Sequence, residues 1–128
     1  RVAIAGALVL KARYLLLDEP TAGLEPSGRT HMIEIIRRIV GQGNNVVLSS
    51  HDIDLIYEVS DAVYVMHRGE VLAEGAPGDV FSRADVMAKA GLTQPWLVKL
   101  HAQLGLPLCK TEDEFFSRMR NNCQRQTL

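Results

Sequence analysis

Two short apolar runs, each ending in polar chemistry and separated by one helical pattern, constrain the fold of this chain more than any other feature. The first is "YLLLDEP", Tyr14 to Pro20; the second, "NVVLSS" from Asn45 to Ser50, is followed by His51 and Asp52. An uninterrupted apolar run of this length fits a central strand covered on both faces. Between the two runs, Met32, Ile33, Ile35, Ile36, Ile39 and Val40 recur at helical spacing, with Glu34, Arg37 and Arg38 on the other face. Gly41 and Gly43 are placed to stop that helix. Strand, helix, strand in this order requires a crossover, so the two strands are expected to be parallel neighbours with a right-handed connection.

The flanking segments extend the pattern. Arg1 to Ala12 reads as an alanine-rich helix. Asp52 to Ser60 reads as a short helix with Ile53, Ile56 and Tyr57 inward. Ala62–His67 and Glu70–Glu74 read as two strands around Arg68-Gly69, a hairpin signal. The fold class is therefore α/β with a largely parallel sheet. After Gly75 the character changes. Short helices are expected over Pro77–Ala90. Another is expected over Pro95–Leu104, with Trp96, Leu97, Leu100 and Leu104 at helical spacing. Thr111-x-x-Glu114 forms a capping box before a last helix with Phe115, Phe116 and Met119. A boundary near Gly75–Gly78 separates residues 1–76 from a helical extension over 77–128.

Composition sets the class. Hydrophobic residues make up 47% of the chain, enough for a core, and the net charge of -1 gives no global field toward nucleic acid. The apolar run Val2–Leu10 is far short of the roughly 20 residues a membrane helix needs, and it has no signal-peptide flanks. The chain opens inside a helical pattern at Arg1, so we expect it to be the C-terminal part of a longer protein. Cys109 and Cys123 have no metal-type spacing and read as reduced thiols.

In an open parallel sheet, ligands bind beyond the carboxyl ends of the strands. Asp18 and Glu19 stand at the end of the first strand, and His51 at the end of the second. One carboxylate there can hold Mg²⁺, a hard cation that takes oxygen ligands. Side chains alternate along an extended chain, so the next residue points elsewhere and can orient or deprotonate a water. A neighbouring histidine can bond a phosphate oxygen. Taken singly, an Asp-Glu pair reads as a solvated turn and a lone histidine as a structural one. The full set, with four leading apolar residues and the Pro-Thr-Ala-Gly loop, outweighs that reading.

With these residues in place, the sequence resembles the ATP-binding cassette ATPases over Arg1 to about Glu74. "YLLLDEP" is similar to their Walker B strand, "TAGLEP" to their D-loop, "LSSHD" to their H-loop, and "RVAIAGAL" to the helix after their signature motif. The resemblance implies the C-terminal part of a P-loop NTPase fold, with ATP and Mg²⁺ as cofactors. It implies Asp18 as the Mg²⁺ ligand, Glu19 as general base and His51 as the γ-phosphate switch. Leu24 and Glu25 would form the D-loop that crosses to a partner ATPase subunit. Where the family commonly has Asp in that loop, this chain has Glu25, one methylene longer.

A phosphate-binding loop is missing from the reading. "GLEPSGRT", Gly23 to Thr30, mimics one, but Arg29 stands in the lysine position and Asp18 to Ala22 separate it from its strand. The planar guanidinium is no substitute for the lysine point charge, so the stretch reads as the D-loop leading into a helix with Ser27 near its N-cap. The chain alone is expected to bind ATP weakly. Half a parallel sheet also leaves edges and apolar faces exposed, so marginal stability is expected.

The tail is similar to that of cobalt-import and energy-coupling-factor ATPases, through Leu92, Pro95, Leu104, Gly105, Lys110 and Thr111. That resemblance implies a subunit at the cytoplasmic face of the cell membrane. It would form a head-to-tail ATPase dimer, dock on integral membrane subunits, and power uptake of cobalt, nickel or a vitamin, with no nucleic acid bound. Two other readings stay open: a soluble cassette ATPase of DNA repair or translation, and a non-catalytic scaffold. No sustained heptads and no basic block support the first. His31, His67 and His101 are scattered and read as surface residues.

Overall fold

The computed structural model describes residues 13–125; the helix expected over Arg1–Ala12 lies outside them. The chain divides into two compact units, Arg1–Asp52 and Ile53–Leu128.

The first unit contains a βαβ element: β1 (Tyr14–Asp18), α1 (Pro26–Gly41) and β2 (Asn45–Ser49). β1 and β2 pair in parallel, in the register Tyr14↔Asn45 through Asp18↔Ser49. Helix α1 begins with Pro26 in its first turn and with Glu25 as the N-cap residue; Ser27, expected near the cap, lies in the first turn. The reason is local. Proline has the helical φ and lacks the N–H that would be unpaired in any case, so Pro26 opens the helix directly after the Glu25 cap. α1 buries Met32, Ile33, Ile36 and Ile39 and packs on β2. The stop lies at Gln42, and Gly43 turns the chain at φ 85° toward β2.

Exposure alternates along both strands. Leu15, Leu17, Val46 and Leu48 are half-buried, whereas Leu16 is 76% and Val47 56% exposed. Among the described residues one face of the strand pair is covered, not the two expected from the apolar runs. The runs are apolar at both faces because their sequence suits a fully enclosed strand; one helix shields one side.

The second unit starts with α2 (Ile53–Val59), followed by the hairpin β3 (Val63–His67) and β4 (Glu70–Gly75). The hairpin is antiparallel and forms its own two-stranded sheet, with a bulge between Val65 and Met66. Its turn residues Arg68 and Gly69 both have positive φ, 48° and 82°, the twist that a two-residue type I′ turn supplies. Then come α3 (Pro77–Phe81), α4 (Ala84–Ala90), α5 (Trp96–Leu104) and α6 (Glu112–Arg125). α4 and α5 each end at a glycine in left-handed conformation, Gly91 and Gly105, which releases the chain without a Cβ clash.

Residues Val63, Val65 and Ala73 of the hairpin share one core with Val80, Phe81, Val86, Met87, Leu97, Val98 and Phe115. Residues on both sides of the passage from Gly75 to Gly78, where the sequence suggests a boundary, therefore contribute to this core, while Gly75 and Ala76 themselves are exposed. Polar bonds stitch the helices to α2: the Tyr57 hydroxyl donates to the Cys109 carbonyl at 3.0 Å, and Asp54 accepts the Trp96 amide at 3.0 Å. Burial pushes the Tyr57 hydroxyl and the Cys109 thiol up from their ordinary pKa values. The capping motif is half of a box. The Thr111 hydroxyl accepts the Glu114 amide at 3.2 Å, but Glu114 reaches back to the amide of Lys110 at 3.0 Å, one residue further out.

Four residues differ from the inward sets expected from sequence. Leu55 of α2 and Val98 of α5 are fully buried, while Leu104 is 65% exposed, because α5 turns its Leu97–Val98 side to the core and ends at the surface. Phe116 is exposed beside the buried Phe115. Truncating Met87, 1% exposed, to alanine should cost about 2–5 kcal/mol, whereas Leu104→Ala should change stability by less than about 0.5 kcal/mol. Urea unfolding followed by Trp96 fluorescence reads both, and equal losses would contradict this burial order.

Candidate functional site

The register of the two strands brings the polar residues after each apolar run side by side. Asp18 pairs with Ser49 in the ladder, and the ladder continues one step beyond β1, where the Glu19 amide donates to the Ser49 carbonyl at 2.9 Å. The side-chain pairing follows the backbone. The Ser49 hydroxyl donates to Asp18 Oδ1, and the Ser50 hydroxyl donates to Glu19 Oε2 at 3.1 Å. Two adjacent serines thus serve two adjacent acids. The two acids thus have different hydroxyl partners.

Glu19 holds a left-handed backbone, φ 46°. For a residue with a Cβ this costs on the order of 1 kcal/mol, and such strain concentrates at functional sites. It turns the chain at the strand end: the Ala22 amide donates to the Glu19 carbonyl at 3.1 Å, and Pro20 ends any further pairing.

His51 closes on the same carboxylate. Glu19 Oε1 accepts the His51 amide at 3.0 Å and lies 2.9 Å from His51 Nδ1. The hydrogen bond and charge of each partner favour the ionised form of the other: His51, by its side-chain bond, holds Glu19 below the ordinary carboxylate range, and Glu19 holds His51 above the ordinary histidine value. With Nδ1 turned to Glu19 and the side chain 79% exposed, His51 presents Nε2 to whatever approaches the strand ends.

Two more residues surround this pair. The Asp52 amide donates to Ser50 Oγ at 3.1 Å, and the Asp52 carboxylate pairs with Arg29 Nε at 2.8 Å. Arg29 lies in the first turn of α1, and the Arg29 amide donates to the Glu25 carbonyl at 3.0 Å. The stretch that imitates a phosphate-binding loop is therefore helical from Pro26, with its Arg29 side chain directed to Asp52. Leu24 and Glu25 are exposed at the entry to α1 and lie apart from the hydrogen-bonded set around Glu19. A Cβ on Gly28 would come within 3.2 Å of Leu24 Cβ, a tight contact, so the loop passes close to its own helix here.

Sequence reasoning placed Asp18, Glu19 and His51 together and missed the serines and Arg29. Ser49 and Ser50 were visible as an adjacent pair opposite an adjacent acid pair, but only the strand register says which faces which.

The donor set at Asp18 suits Mg²⁺. It is an exposed carboxylate at a strand end with a serine oxygen beside it, and Mg²⁺ is commonly held by one or two carboxylates together with phosphate oxygens and waters. Among the described residues no cluster of three or more histidine, cysteine or acidic side chains that could hold a metal ion occurs. No described helix is long and apolar enough to cross a membrane.

The chain belongs to the family of ATP-binding cassette ATPases. Within that family it is 73% identical over 126 residues to the cobalt import ATP-binding protein CbiO of Salmonella typhimurium, covering 98% of this chain and 46% of that protein. It is 41% identical over 100 residues to the energy-coupling factor transporter ATP-binding protein EcfA of Methanocaldococcus jannaschii, covering 78% of this chain and 36% of that protein. The solved structure of cbiO1 from Clostridium perfringens, described as part of the ABC transporter complex cbiONQ, matches with TM-score 0.60 and 37% identity over 79% of this chain and 41% of its own. The chain thus spans just under half the length of the cobalt-import relative. No protein-family model matches the chain.

The ion pair makes a pH prediction. His51, raised by its partner, contributes stability that is complete below the ordinary histidine value and fades as pH rises through its raised one. Glu19, lowered, contributes above the ordinary carboxylate value and fades as pH falls through its lowered one. The pair is therefore strongest between about pH 4.5 and 6.5. NMR titration of the His51 ring should give a midpoint above that of a free histidine, and Glu19→Gln should bring it down. Identical midpoints in both proteins would show that the pair does not form.

Proposed function

We propose that the protein is an ATP-hydrolysing subunit of an importer, with cobalt as the transported ion, and that Glu19 is the general base. The observation that carries the reading is the Glu19–His51 pair at the carboxyl ends of β1 and β2, in a chain 73% identical to a cobalt import ATP-binding protein. Its similarity to CbiO and EcfA supports a cytoplasmic-face subunit that pairs with a second ATPase and docks on membrane proteins. Leu24 and Glu25, exposed at the entry to α1, are the segment we assign to the contact with that second ATPase.

The geometry supports distinct duties. Glu19 is kept ionised by His51, so at neutral pH it can take a proton from water. Its Oε1 already accepts two donors from His51, whereas Oε2 accepts one from Ser50. A carboxylate oxygen has two lone pairs, so Oε2 is the atom with room for a water. His51 offers Nε2 to a phosphate oxygen while Nδ1 keeps the ring fixed on Glu19. A protonated ring adds positive charge where negative charge spreads over the transferring phosphoryl group. Asp18 would hold Mg²⁺, which when bound neutralises phosphate charge. Positioning and electrostatics supply most of catalysis in phosphoryl transfer, and these residues provide both.

No described residue forms a phosphate cradle, so the 128-residue chain by itself should show no micromolar affinity for Mg-ATP by calorimetric titration. In the full-length protein, Glu19→Gln should lower steady-state ATP hydrolysis by about 10²-fold or more while ATP still binds. Steady hydrolysis near the unaltered rate in that variant would remove Glu19 from the role of base. Asp18→Asn should raise the Mg²⁺ concentration needed for half-maximal turnover.

A further inference from the structure

Ser50 lies between the two groups that the proposed mechanism uses least and most. Its hydroxyl accepts the amide of Asp52 at 3.1 Å and donates to Glu19 Oε2 at 3.1 Å. A serine hydroxyl has a single proton. With the Asp52 amide directed at its oxygen, that proton goes to Glu19, so the direction of the bond is set by the backbone and not by rotation of the hydroxyl.

The consequence falls on one atom. Oε1 of Glu19 is filled by the amide and ring of His51. That anchors one end of the carboxylate but leaves it able to swing about the anchored oxygen. The Ser50 bond fixes the other end and leaves one open lone pair on Oε2. The acceptor direction for a water is then defined. The serine is itself held. It follows directly from β2, whose last residue, Ser49, accepts the Glu19 amide, and the Asp52 on its other side is pinned to α1 by Arg29 at 2.8 Å. The chain of bonds from Arg29 through Asp52 and Ser50 to Glu19 joins the helix after the Leu24–Glu25 loop to the base.

We propose that Ser50 is a positioning residue that aims Glu19 Oε2 at the attacking water, a role resting on the reading of Glu19 as general base. Serine at this place is a built part of the hydrolytic site, and alanine in its place leaves the base anchored by His51 but unaimed. Misplacing a reacting group by about 1 Å costs up to 10²-fold in rate, so Ser50→Ala should lower kcat ten- to hundredfold. An interaction used only to orient the base leaves ground-state binding alone, so KM and the calorimetric affinity for Mg-ATP should stay within about twofold. Ser50→Thr, which keeps the hydroxyl, should restore kcat to within about threefold of the unaltered protein.

The test is steady-state ATPase kinetics with calorimetry in the full-length protein, for S50A, S50T and E19Q side by side. A loss of kcat in S50A at constant affinity, with rescue in S50T, is the expected result. Unchanged kcat in S50A, or an equal loss in S50T, overturns the role of Ser50 while E19Q stays inactive. Loss of ATP affinity in S50A also overturns it, because the serine would then serve the folded site as a whole. Hydrolysis retained in E19Q overturns the base assignment itself, and this inference with it.

Discussion

The parallel register of β1 on β2 is the constraint on which the site depends. Asp18 stands opposite Ser49, and the Glu19 amide bonds the Ser49 carbonyl one step further. A slip of one residue would turn every side chain to the other face. Asp18 and Glu19 would lose their serines, and His51 would leave the Glu19 carboxylate. The half-buried Leu15, Leu17, Val46 and Leu48 oppose such a slip, because it would exchange the half-buried and exposed positions of a strand. Hydrophobic burial thus sets the geometry of the polar cluster, although none of its atoms belongs to that cluster.

The cluster itself is a case of mutual satisfaction. Glu19 has a strained left-handed backbone and receives three donors, two of them from His51. The strain directs the carboxylate back over the end of β2, where those donors are. Arg29 then ties the residue after His51 to α1. The loop of Leu24 and Glu25 is therefore one helical turn from a residue that bonds the H-loop. In the ATP-binding cassette reading, the Arg29–Asp52 ion pair joins the segment we assign to the partner contact to the segment we assign to the phosphates.

The second unit has a different logic. Its hairpin is too small to stand alone, since two strands bury little on their own. Val63, Val65 and Ala73 complete their burial on α3, α4 and α5 and on Phe115 of α6. Trp96 and Phe115 meet edge to face at 5.7 Å, and Tyr57 meets Phe81 at 6.1 Å. The sequence change after Gly75 is real as a change from strands to helices. The helices nonetheless share their core with the hairpin, together with Tyr57 of α2.

Much of this was legible in the order of residues. Uninterrupted apolar runs, helical spacing and a hairpin signal place β1, α1, β2, the hairpin and the tail helices. The apolar run ending in Asp18-Glu19, with Ser-Ser-His-Asp after the next run, marks the site and its family. Local chemistry also fixed the type I′ turn at Arg68-Gly69. Other features are decided by contacts distant in sequence. That Ser50 serves Glu19 and Ser49 serves Asp18 follows from register, 31 residues apart. That Arg29 is a clamp on Asp52 rather than part of a phosphate loop follows from the start of α1 at Pro26 and the direction it gives the guanidinium. That Val98 is buried and Leu104 exposed depends on how α5 meets the core, since one helical stripe allows more than one rotation. The sequence determined which elements form and which residues carry chemistry, because these depend on neighbours along the chain. Only the tertiary structure decided which oxygen of Glu19 is left open, because that depends on donors brought from another strand.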